Sequence, residues 1–215
     1  MRMRLTCGLA ALAVIHAAAL TASAQNQFGN PGFEDPLLVT TDGPPFVGSW
    51  EAFNGGGAGS GYAATNPRNG TGHLNVNINN TPNSFAGAFQ DVANLVAGQA
   101  VTFSGYHMSL TNPLGVATEF RIEWRNSGSN TEVGRTPNST TGPGTTYSLF
   151  SLNATVPAGA DTARAVYAIQ TFGGEPNPGD NGVVFVDDMS FIIVPEPTSI
   201  AALGAASVLL RRRRR

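Results

Sequence analysis

Short runs in which apolar and polar residues alternate recur along the middle of this 215-residue chain. The clearest run places Phe120, Ile122 and Trp124 on one side and the charged residues of segment 119–125 on the other. Because a strand points alternate side chains to opposite faces, this run predicts a β-strand with an apolar face on a core and a charged face in solvent. No long stretch of the chain between its two ends shows a helical period of 3.6 residues, which argues against a helical fold.

Six further runs predict strands, and turn sequences that contain Gly and Pro separate them. The seven predicted strands cover residues 73–78, 84–92, 101–110, 119–125, 147–154, 163–172 and 183–194. Many short strands with such turns are typical of an all-β fold, and we predict an antiparallel β-sandwich of the jelly-roll class. Two stretches rich in Gly, Asn and other polar residues, 54–69 and 126–146, are predicted to be loops.

The N-terminal segment is typical of protein export. Two arginines precede an apolar stretch at residues 5–20, and small residues at 22–24 suit cleavage. This arrangement predicts a secretory signal peptide at residues 1–24. The single cysteine, Cys7, lies inside it, so the body that follows has no disulfide bond and no cysteine metal ligand.

The C-terminal segment, residues 195–215, has three parts in order. They are a Pro-Glu-Pro sequence, an apolar run at 200–210 and a terminal arginine cluster. As a helix the apolar run would span roughly 16 Å, about half of a bilayer's hydrocarbon core, which is short for a permanent anchor. The arginines would stay on the cytoplasmic side. The segment alone leaves open a weak membrane anchor with a stop-transfer cluster, and it lacks the residue mixture of a nucleic-acid-binding patch.

Together the three parts resemble the PEP-CTERM sorting signal of Gram-negative bacteria. The resemblance implies recognition by exosortase, a membrane protease-transpeptidase, through the residues Pro195, Glu196, Pro197, Arg211, Arg212, Arg213, Arg214 and Arg215. It implies a transient hold in the inner membrane through the C-terminal helix, followed by release to the cell surface or the exopolysaccharide matrix. Whether the tail is cleaved or stays as an anchor is left open.

The body of the chain, residues 25–194, is acidic. Seven of the 12 basic residues lie in the two terminal segments, so five arginines accompany 13 acidic residues and the net charge of the body is −8. Such an excess of negative charge argues against nucleic acid and anionic membranes as partners. It is compatible with calcium and with neutral or cationic ligands.

Two sequences near the ends of the body resemble the galactose-binding-like jelly roll of bacterial carbohydrate-binding modules. The opening sequence is NPGFE at 30–34, and the closing sequence is VFVDDMSF at 184–191. The resemblance implies that the first and last strands pair with each other. It also implies a non-catalytic module that binds carbohydrate.

The same resemblance implies a structural calcium ion in the body. Its ligands would be the side chains of Glu34 and of Asp187 or Asp188, with the carbonyl oxygen of Gly32. Strand parity puts the two aspartates on opposite faces and does not decide between them. The alternative is that these acids only cap strand ends in solvent.

Recognition of a sugar generally uses aromatic rings together with a few polar groups. Candidate rings in predicted loops or at strand ends are Phe53, Tyr62, Tyr106, Tyr147 and Phe172, of which Phe53, Tyr62 and Tyr147 are the predicted ligand contacts. The alternative for each ring is ordinary packing. Both tryptophans of the chain are predicted to be buried.

No residue pattern in the sequence predicts catalysis. Two of the three residues Glu119, Glu123 and Glu132 could form a glycosidase pair, but Arg121 between the first two is typical of a solvated face. The histidines of the body lack metal-binding spacing. We therefore predict a non-catalytic binding or structural module in extracellular polysaccharide. The alternatives are a purely structural matrix component without a ligand and a glycan hydrolase.

Overall fold

The computed structural model describes residues 24–36, 38, 43–111, 114–172 and 181–195. All of them lie within one compact unit, Ala24–Glu196. Their regular secondary structure is β1 (Glu51–Gly55), β2 (Ala58–Ala63), β3 (His73–Ile78), β4 (Phe85–Val92), β5 (Ala100–Ser109), β6 (Ala117–Asn126), β7 (Thr131–Arg135), β8 (Ser148–Thr155), β9 (Thr162–Gln170) and β10 (Gly182–Val194).

The strands form two five-stranded antiparallel sheets. Sheet I has the order β1-β4-β9-β6-β7, and sheet II has the order β2-β3-β10-β5-β8. Their inner faces meet in one hydrophobic core, whose largest side chains include Trp50, Phe103, Phe120, Phe150, Tyr167 and Phe191. This arrangement confirms the prediction of an antiparallel β-sandwich of the jelly-roll class.

The start of the described chain pairs with its last strand. Asn26 forms a bridge with Ile192, and its side chain accepts a hydrogen bond from the Phe191 N–H at 3.0 Å. The same side chain donates to the carbonyl of Met189 at 2.9 Å. The segment that leads to Glu34 is thereby held beside β10. The expected pairing of the first and last strands occurs only as this isolated bridge, since β1 pairs with β4 in the other sheet.

Each of the seven predicted strands corresponds to an observed strand within about two residues at either end. The two predicted loops are wrong in part. Segment 54–69 contains the end of β1 and all of β2, and segment 126–146 contains β7. The sequence of β2, AGSGYA, shows no alternation, and the strand exists because it pairs along β3. Glycine suits this position, since a Cβ at Gly59 would lie 2.9 Å from Nδ2 of Asn77.

The alternation along β6 is confirmed on its apolar side only. Phe120, Ile122 and Trp124 lie in the core. The prediction that the charged side is a solvated face is wrong, because Glu119 and Glu123 are each only 8% exposed. Ion pairs with Arg121 and hydrogen bonds from neighbouring side chains, described below, cover these carboxylates.

The predicted export segments lie mostly outside the described residues. This holds for residues 1–23 of the predicted signal peptide, for Glu196 and Pro197, and for the apolar run and Arg211 to Arg215. Pro195 is described, follows the end of β10 directly and is exposed. In the part of the chain that the structure describes, no helix has the length and apolar character needed to cross a membrane.

Candidate functional sites on the two outer faces

Five phenylalanine rings form a continuous row on the outer face of sheet I and its margin. The ring centroids are 5.4 Å apart for Phe46 and Phe89, 6.1 Å for Phe89 and Phe53, 6.1 Å for Phe53 and Phe85, and 6.0 Å for Phe85 and Phe172. None of the five belongs to the buried core cluster, and Phe85 and Phe172 are 37% and 39% exposed. We call these rings the phenylalanine row. They present contiguous apolar surface to solvent.

Strand register explains why the row lies on the outer face. One line of paired residues crosses sheet I from β1 to β6. Phe53 of β1 pairs with Gly87 of β4, and Gly87 pairs with Ala168 of β9. Ala168 pairs in turn with Glu119 of β6. A Cβ at Gly87 would lie 2.7 Å from Cζ of Phe53, so the glycine lets the Phe53 ring lie across β4. Ala168 and its neighbour Val166 are 3% and 2% exposed although they lie outside the core cluster. Val166 and Ala168 therefore form a buried apolar band on this face, between the phenylalanine row and β6.

The charged residues of β6 form a largely buried cluster beside this band. Arg121 donates to Oε1 of Glu123 from Nε at 2.9 Å and from Nη2 at 2.7 Å, and it also donates to Glu119. The amides of Asn138 and Gln170 donate to Oε2 of Glu119 at 2.7 and 3.2 Å. The two glutamates therefore share one guanidinium, and both carboxylates are engaged within the protein. The cluster fixes the shape of the face.

Glu132, the third glutamate considered for a glycosidase pair, lies elsewhere in sheet I. Its carboxylate accepts from Nε of Arg135 at 2.6 Å and from Nη2 at 2.7 Å. The hydrogen bonds from Arg135 hold the pKa of Glu132 below its ordinary value. The structure thus ties this acid to β7, the edge strand of sheet I.

At one end of the phenylalanine row a second ion pair holds the rings. The guanidinium carbon of Arg164 lies 4.1 Å from the ring centroid of Phe89 and 5.3 Å from that of Phe46. The same guanidinium donates to both oxygens of Asp91, at 2.8 and 3.0 Å. Asp91 is 1% exposed and also accepts from the Phe46 N–H at 3.1 Å. A bidentate ion pair and cation–π contacts therefore fix the orientation of two rings.

The outer face of sheet II carries the acids that the resemblance assigned to calcium. A β-bulge in β10 between Asp187 and Ser190, with Asp188 at φ 48°, turns Met189 into the core. The prediction that the two aspartates lie on opposite faces is wrong, because the bulge adds a residue to the strand. Both aspartate side chains instead contact the loop of residues 64–72, which we call the 64–72 loop.

Hydrogen bonds from the 64–72 loop hold both aspartates. Oδ2 of Asp187 accepts the backbone N–H groups of Arg68 and Asn69 at 2.8 and 3.3 Å. Oδ2 of Asp188 accepts the Asn69 amide at 2.6 Å and forms an ion pair with the Arg68 guanidinium. Asp187 is fully buried, and this burial raises the pKa of its carboxyl.

Glu34 joins the two aspartates around a space beside Gly32. Its Oε2 accepts the Thr71 N–H and hydroxyl at 2.9 and 2.7 Å, which lowers the pKa of the Glu34 carboxyl. A Cβ at Gly32 would lie 3.6 Å from Oε1 of Glu34, 3.8 Å from Oδ1 of Asp187 and 3.9 Å from Oδ1 of Asp188. We call these three acids the acidic cluster. One oxygen of each carboxylate thus faces space that the missing side chain of Gly32 leaves free.

This donor set has the chemistry that calcium prefers. All three groups supply hard oxygen atoms, and a calcium ion takes six to eight of them. Within the described residues, no group of three or more His, Cys, Asp or Glu side chains could hold a metal ion as they are arranged. The oxygen chemistry of Glu34, Asp187 and Asp188 suits calcium, but their arrangement does not form a metal site.

The three predicted sugar contacts lie on different sheets. Phe53 belongs to the phenylalanine row, as does the further candidate Phe172. The Tyr62 hydroxyl lies 3.5 Å from the carbonyl oxygen of Thr71, and the Tyr147 hydroxyl donates to the carbonyl of Asn66 at 3.0 Å. Both tyrosines therefore brace the 64–72 loop on sheet II. Burial, followed by the nearby aspartates, raises the pKa of Tyr147.

Sequence reasoning did not select the other three members of the row, Phe46, Phe85 and Phe89. A signal was present in β4, where Phe85 and Phe89 share one face. The intervening Ala86 and Ala88 face the core. Since both faces of this strand are apolar, alternation did not show which one points outward.

No protein-family profile matches this chain, and no curated protein sequence matches it. Solved structures do resemble it. The CBM22-1 xylan-binding domain of Paenibacillus barcinonensis Xyn10C has a TM-score of 0.51 at 16% identity, over 77% of this chain and 92% of that chain. A CBM4 structure has a TM-score of 0.50 at 15% identity, over 77% of this chain and 99% of that one.

A third similar structure comes from a much longer protein. The enzymatically active domain of bacteriophage CBA120 tailspike protein 4 has a TM-score of 0.60 at 12% identity, over 79% of this chain. This chain spans about a fifth of that one, since the match covers 21% of its length. At these identities the likeness establishes the fold, a β-sandwich of the kind found in carbohydrate-binding modules.

Proposed function

We propose that this protein is an exported, non-catalytic module that binds extracellular polysaccharide through the outer face of sheet I. The observation that carries the proposal is the phenylalanine row, five rings in contact beside a fixed charge cluster. Sugar rings have apolar C–H faces that pack against aromatic rings, and polar groups at the margin orient their hydroxyls. The likeness in fold to carbohydrate-binding modules supports this assignment.

The outer face of sheet I offers both kinds of contact. The exposed rings of Phe85 and Phe172 supply apolar area. Gln170 lies in β9 on the same face and is only partly buried, so its amide oxygen can accept a hydrogen bond from a sugar hydroxyl. Because Arg121 and Arg164 are held in ion pairs, the polar groups are fixed in place before a ligand arrives.

Affinity electrophoresis of the full-length protein in gels that contain different polysaccharides tests this proposal. The panel should include the extracellular polysaccharide of the native host. We expect retardation by at least one polymer, and retardation that soluble fragments of that polymer relieve. Unchanged mobility in every gel would favour the alternative of a purely structural matrix component.

The export route is proposed on the sequence signals alone. Exosortase-type processing at Pro195, Glu196 and Pro197 would release the module to the cell surface or matrix. The exposed position of Pro195 directly after β10 supports access of a protease to this site. Mass spectrometry of the mature C-terminus from the native host tests it. A terminus near Pro195 to Pro197 supports processing, and an intact Arg215 contradicts it.

A structural calcium ion at the acidic cluster is the third part of the proposal, and it requires the three side chains to rearrange, since their present arrangement does not form a metal site. Bound calcium would supply positive charge to three carboxylates that the fold brings together. Glu34 belongs to the opening segment and the two aspartates to β10, so these residues would join the two ends of the domain. The melting temperature should fall when a chelator removes the ion, because calcium binds the folded state. An unchanged melting temperature would overturn this part.

A further inference from the structure

Strand β8 forms one edge of sheet II and pairs with β5 alone. The N–H of Val156, directly after β8, donates to the carbonyl of Gln99 at 2.9 Å, so the backbone of Val156 faces β5. Because the backbone groups of an antiparallel strand face alternate sides, residues 148, 150, 152 and 154 also face β5. The groups that face the open edge therefore belong to Leu149, Ser151, Asn153 and Thr155. Among the described residues, no other segment hydrogen-bonds to their N–H and C=O groups.

The other edges of the two sheets are protected against pairing with a further strand. Edge strand β7 carries Glu132 and Arg135, and its pairing with β6 contains a register shift. On edge strand β1 the Ala52 N–H donates to the carbonyl of Leu38 at 2.7 Å, so a neighbouring segment covers part of that edge. Edge strand β2 has only six residues and contains two glycines. Charged residues, bulges, short length and covering segments are the common protections of edge strands.

Strand β8 lacks each of these protections. Its sequence, SLFSLNAT, has no charged residue, no proline and no glycine, and its register with β5 is continuous over all eight residues. Since natural edge strands are seldom left unprotected, this strand has the properties of one that another strand covers. The core is also incompletely closed here, because Leu152 and Ala154 pack against it and remain partly exposed. A strand added at this edge would cover both side chains.

Charge and symmetry favour β8 of a second copy as the added strand. The body carries a net charge of −8, so two copies repel each other over much of their surface, whereas β8 carries no charge. An antiparallel strand can also pair with its own copy about a two-fold axis. With the axis at Leu152, Ser151 stands opposite Asn153 of the second copy. Leu149 then stands opposite Thr155, and the open backbone groups of the two strands meet in hydrogen-bonded pairs.

We propose that two copies of the protein pair through β8 and join their sheets II into one continuous sheet. The two open edges would form about eight hydrogen bonds. A single strand pair buries less area than the roughly 1,200 Å² of a stable interface, so the dimer is weak. We expect a dissociation constant of about 100 µM, which leaves the protein monomeric in dilute solution. The phenylalanine row lies on sheet I and stays uncovered in both copies.

Sedimentation velocity of the full-length protein between about 5 and about 500 µM measures this association. The wild type should pass from the monomer mass to the dimer mass across this range. Ser151→Pro removes an open N–H at the centre of the edge and no hydrogen bond to β5, so it should weaken association at least about tenfold. Ser151→Ala is the matched control. It keeps the N–H, and its dissociation constant should lie within about threefold of the wild-type value.

Ser151→Lys keeps the test decisive if the proline variant does not fold. It retains every backbone group and adds one charge to each copy, and the two charges would lie about 7–8 Å apart on a diagonal of the strand pair. This variant should also weaken association about tenfold, and less so at high salt. A wild type that is monomeric at every concentration would overturn the proposal. So would a dimer that both variants form as tightly as the wild type, or a series of oligomers larger than two, because pairing through β8 closes at two copies.

Discussion

The outer faces of the two sheets differ in how far arginines neutralise their acidic residues. On sheet I three buried acids are paired with arginines of the same face, Glu119 and Glu123 with Arg121 and Asp91 with Arg164. On sheet II three carboxylates gather around one space with Arg68 beside them, so negative charge is in excess. The balanced face leaves the phenylalanine row as its exposed apolar surface. The other face keeps an excess of negative charge beside the 64–72 loop. The two outer faces therefore differ in chemistry, with apolar rings on sheet I and carboxylates on sheet II.

Removing Arg121 should leave two acids of sheet I without their counter-ion, and it should cause the largest loss of unfolding free energy. Arg121→Met leaves two mostly buried carboxylates without their counter-ion, and loss of one partner of a buried ion pair costs about 4 kcal/mol of unfolding free energy. Urea unfolding at neutral pH measures this loss. Arg135→Met is the control, because the Arg135 side chain is 50% exposed and its ion pairs should contribute less than about 1 kcal/mol. Equal losses in the two variants would contradict the account of this face.

Low pH should destabilise the protein through the core that lies between the two sheets. His107 is fully buried, its Nδ1 lies 2.8 Å from the Tyr167 hydroxyl, and its Nε2 lacks a partner among the described residues. Burial lowers the pKa of His107 from 6.5 to about 4. The unfolded chain therefore binds more protons between these values, and stability falls as the pH drops through this window. A shift of this size corresponds to about 3 kcal/mol.

The variant His107→Gln isolates that contribution, since glutamine does not titrate and retains a polar group for Tyr167. Unfolding free energy measured from pH 7 to pH 4 should fall less steeply for the variant than for the wild type. Identical slopes would show that acid acts on the two faces and not on the core. The titratable groups of the two outer faces would then have to account for the loss of stability at low pH.

Truncating the phenylalanine row should reduce polysaccharide affinity more than stability. Phe53 lies at the centre of the row, in contact with both Phe85 and Phe89. Phe53→Ala should weaken binding about tenfold, as loss of a central aromatic contact commonly does. Its cost in unfolding free energy should be about 1 kcal/mol, because the ring is only half-buried. Calorimetric titration and urea unfolding of the same preparation measure the two effects.

The smallest effect is expected for an apolar residue on the opposite face. Leu149 of β8 lies on the outer face of sheet II and is 58% exposed. Leu149→Ser should change unfolding free energy by less than about 0.5 kcal/mol and leave polysaccharide binding unchanged. Weakened binding in this variant would place the ligand on sheet II and reverse the assignment of the two faces.

The sequence predicted the strands well where one face alone is apolar. In β6 the alternation of Phe120, Ile122 and Trp124 with charged residues identified both the strand and its core side. It could not show that the charges are buried, because that depends on Asn138 and Gln170 from other segments. Strand β2 was not predicted, because its own sequence does not alternate and the strand forms by pairing with β3.

The two candidate sites differed in how far the sequence could define them. The acids of the acidic cluster stand in two short sequences that resemble a known fold, so they were found together. The geometry of these acids was not predicted, because the order of residues does not indicate a β-bulge with a positive φ at Asp188. The phenylalanine row draws on four separate segments, and Phe46, Phe53 and Phe172 are brought beside β4 by strand pairing and by the segments next to the strands.

The most direct test of the central claim is the dissociation constant of the full-length protein for the extracellular polysaccharide of its native host. It should be compared among the wild type, Phe85→Ala and Leu149→Ser. Phe85 is exposed in the phenylalanine row, and Leu149 is exposed on the other sheet. The account predicts measurable binding that weakens about tenfold in Phe85→Ala and is unchanged in Leu149→Ser. Equal affinities for all three proteins would contradict the claim that sheet I holds the ligand.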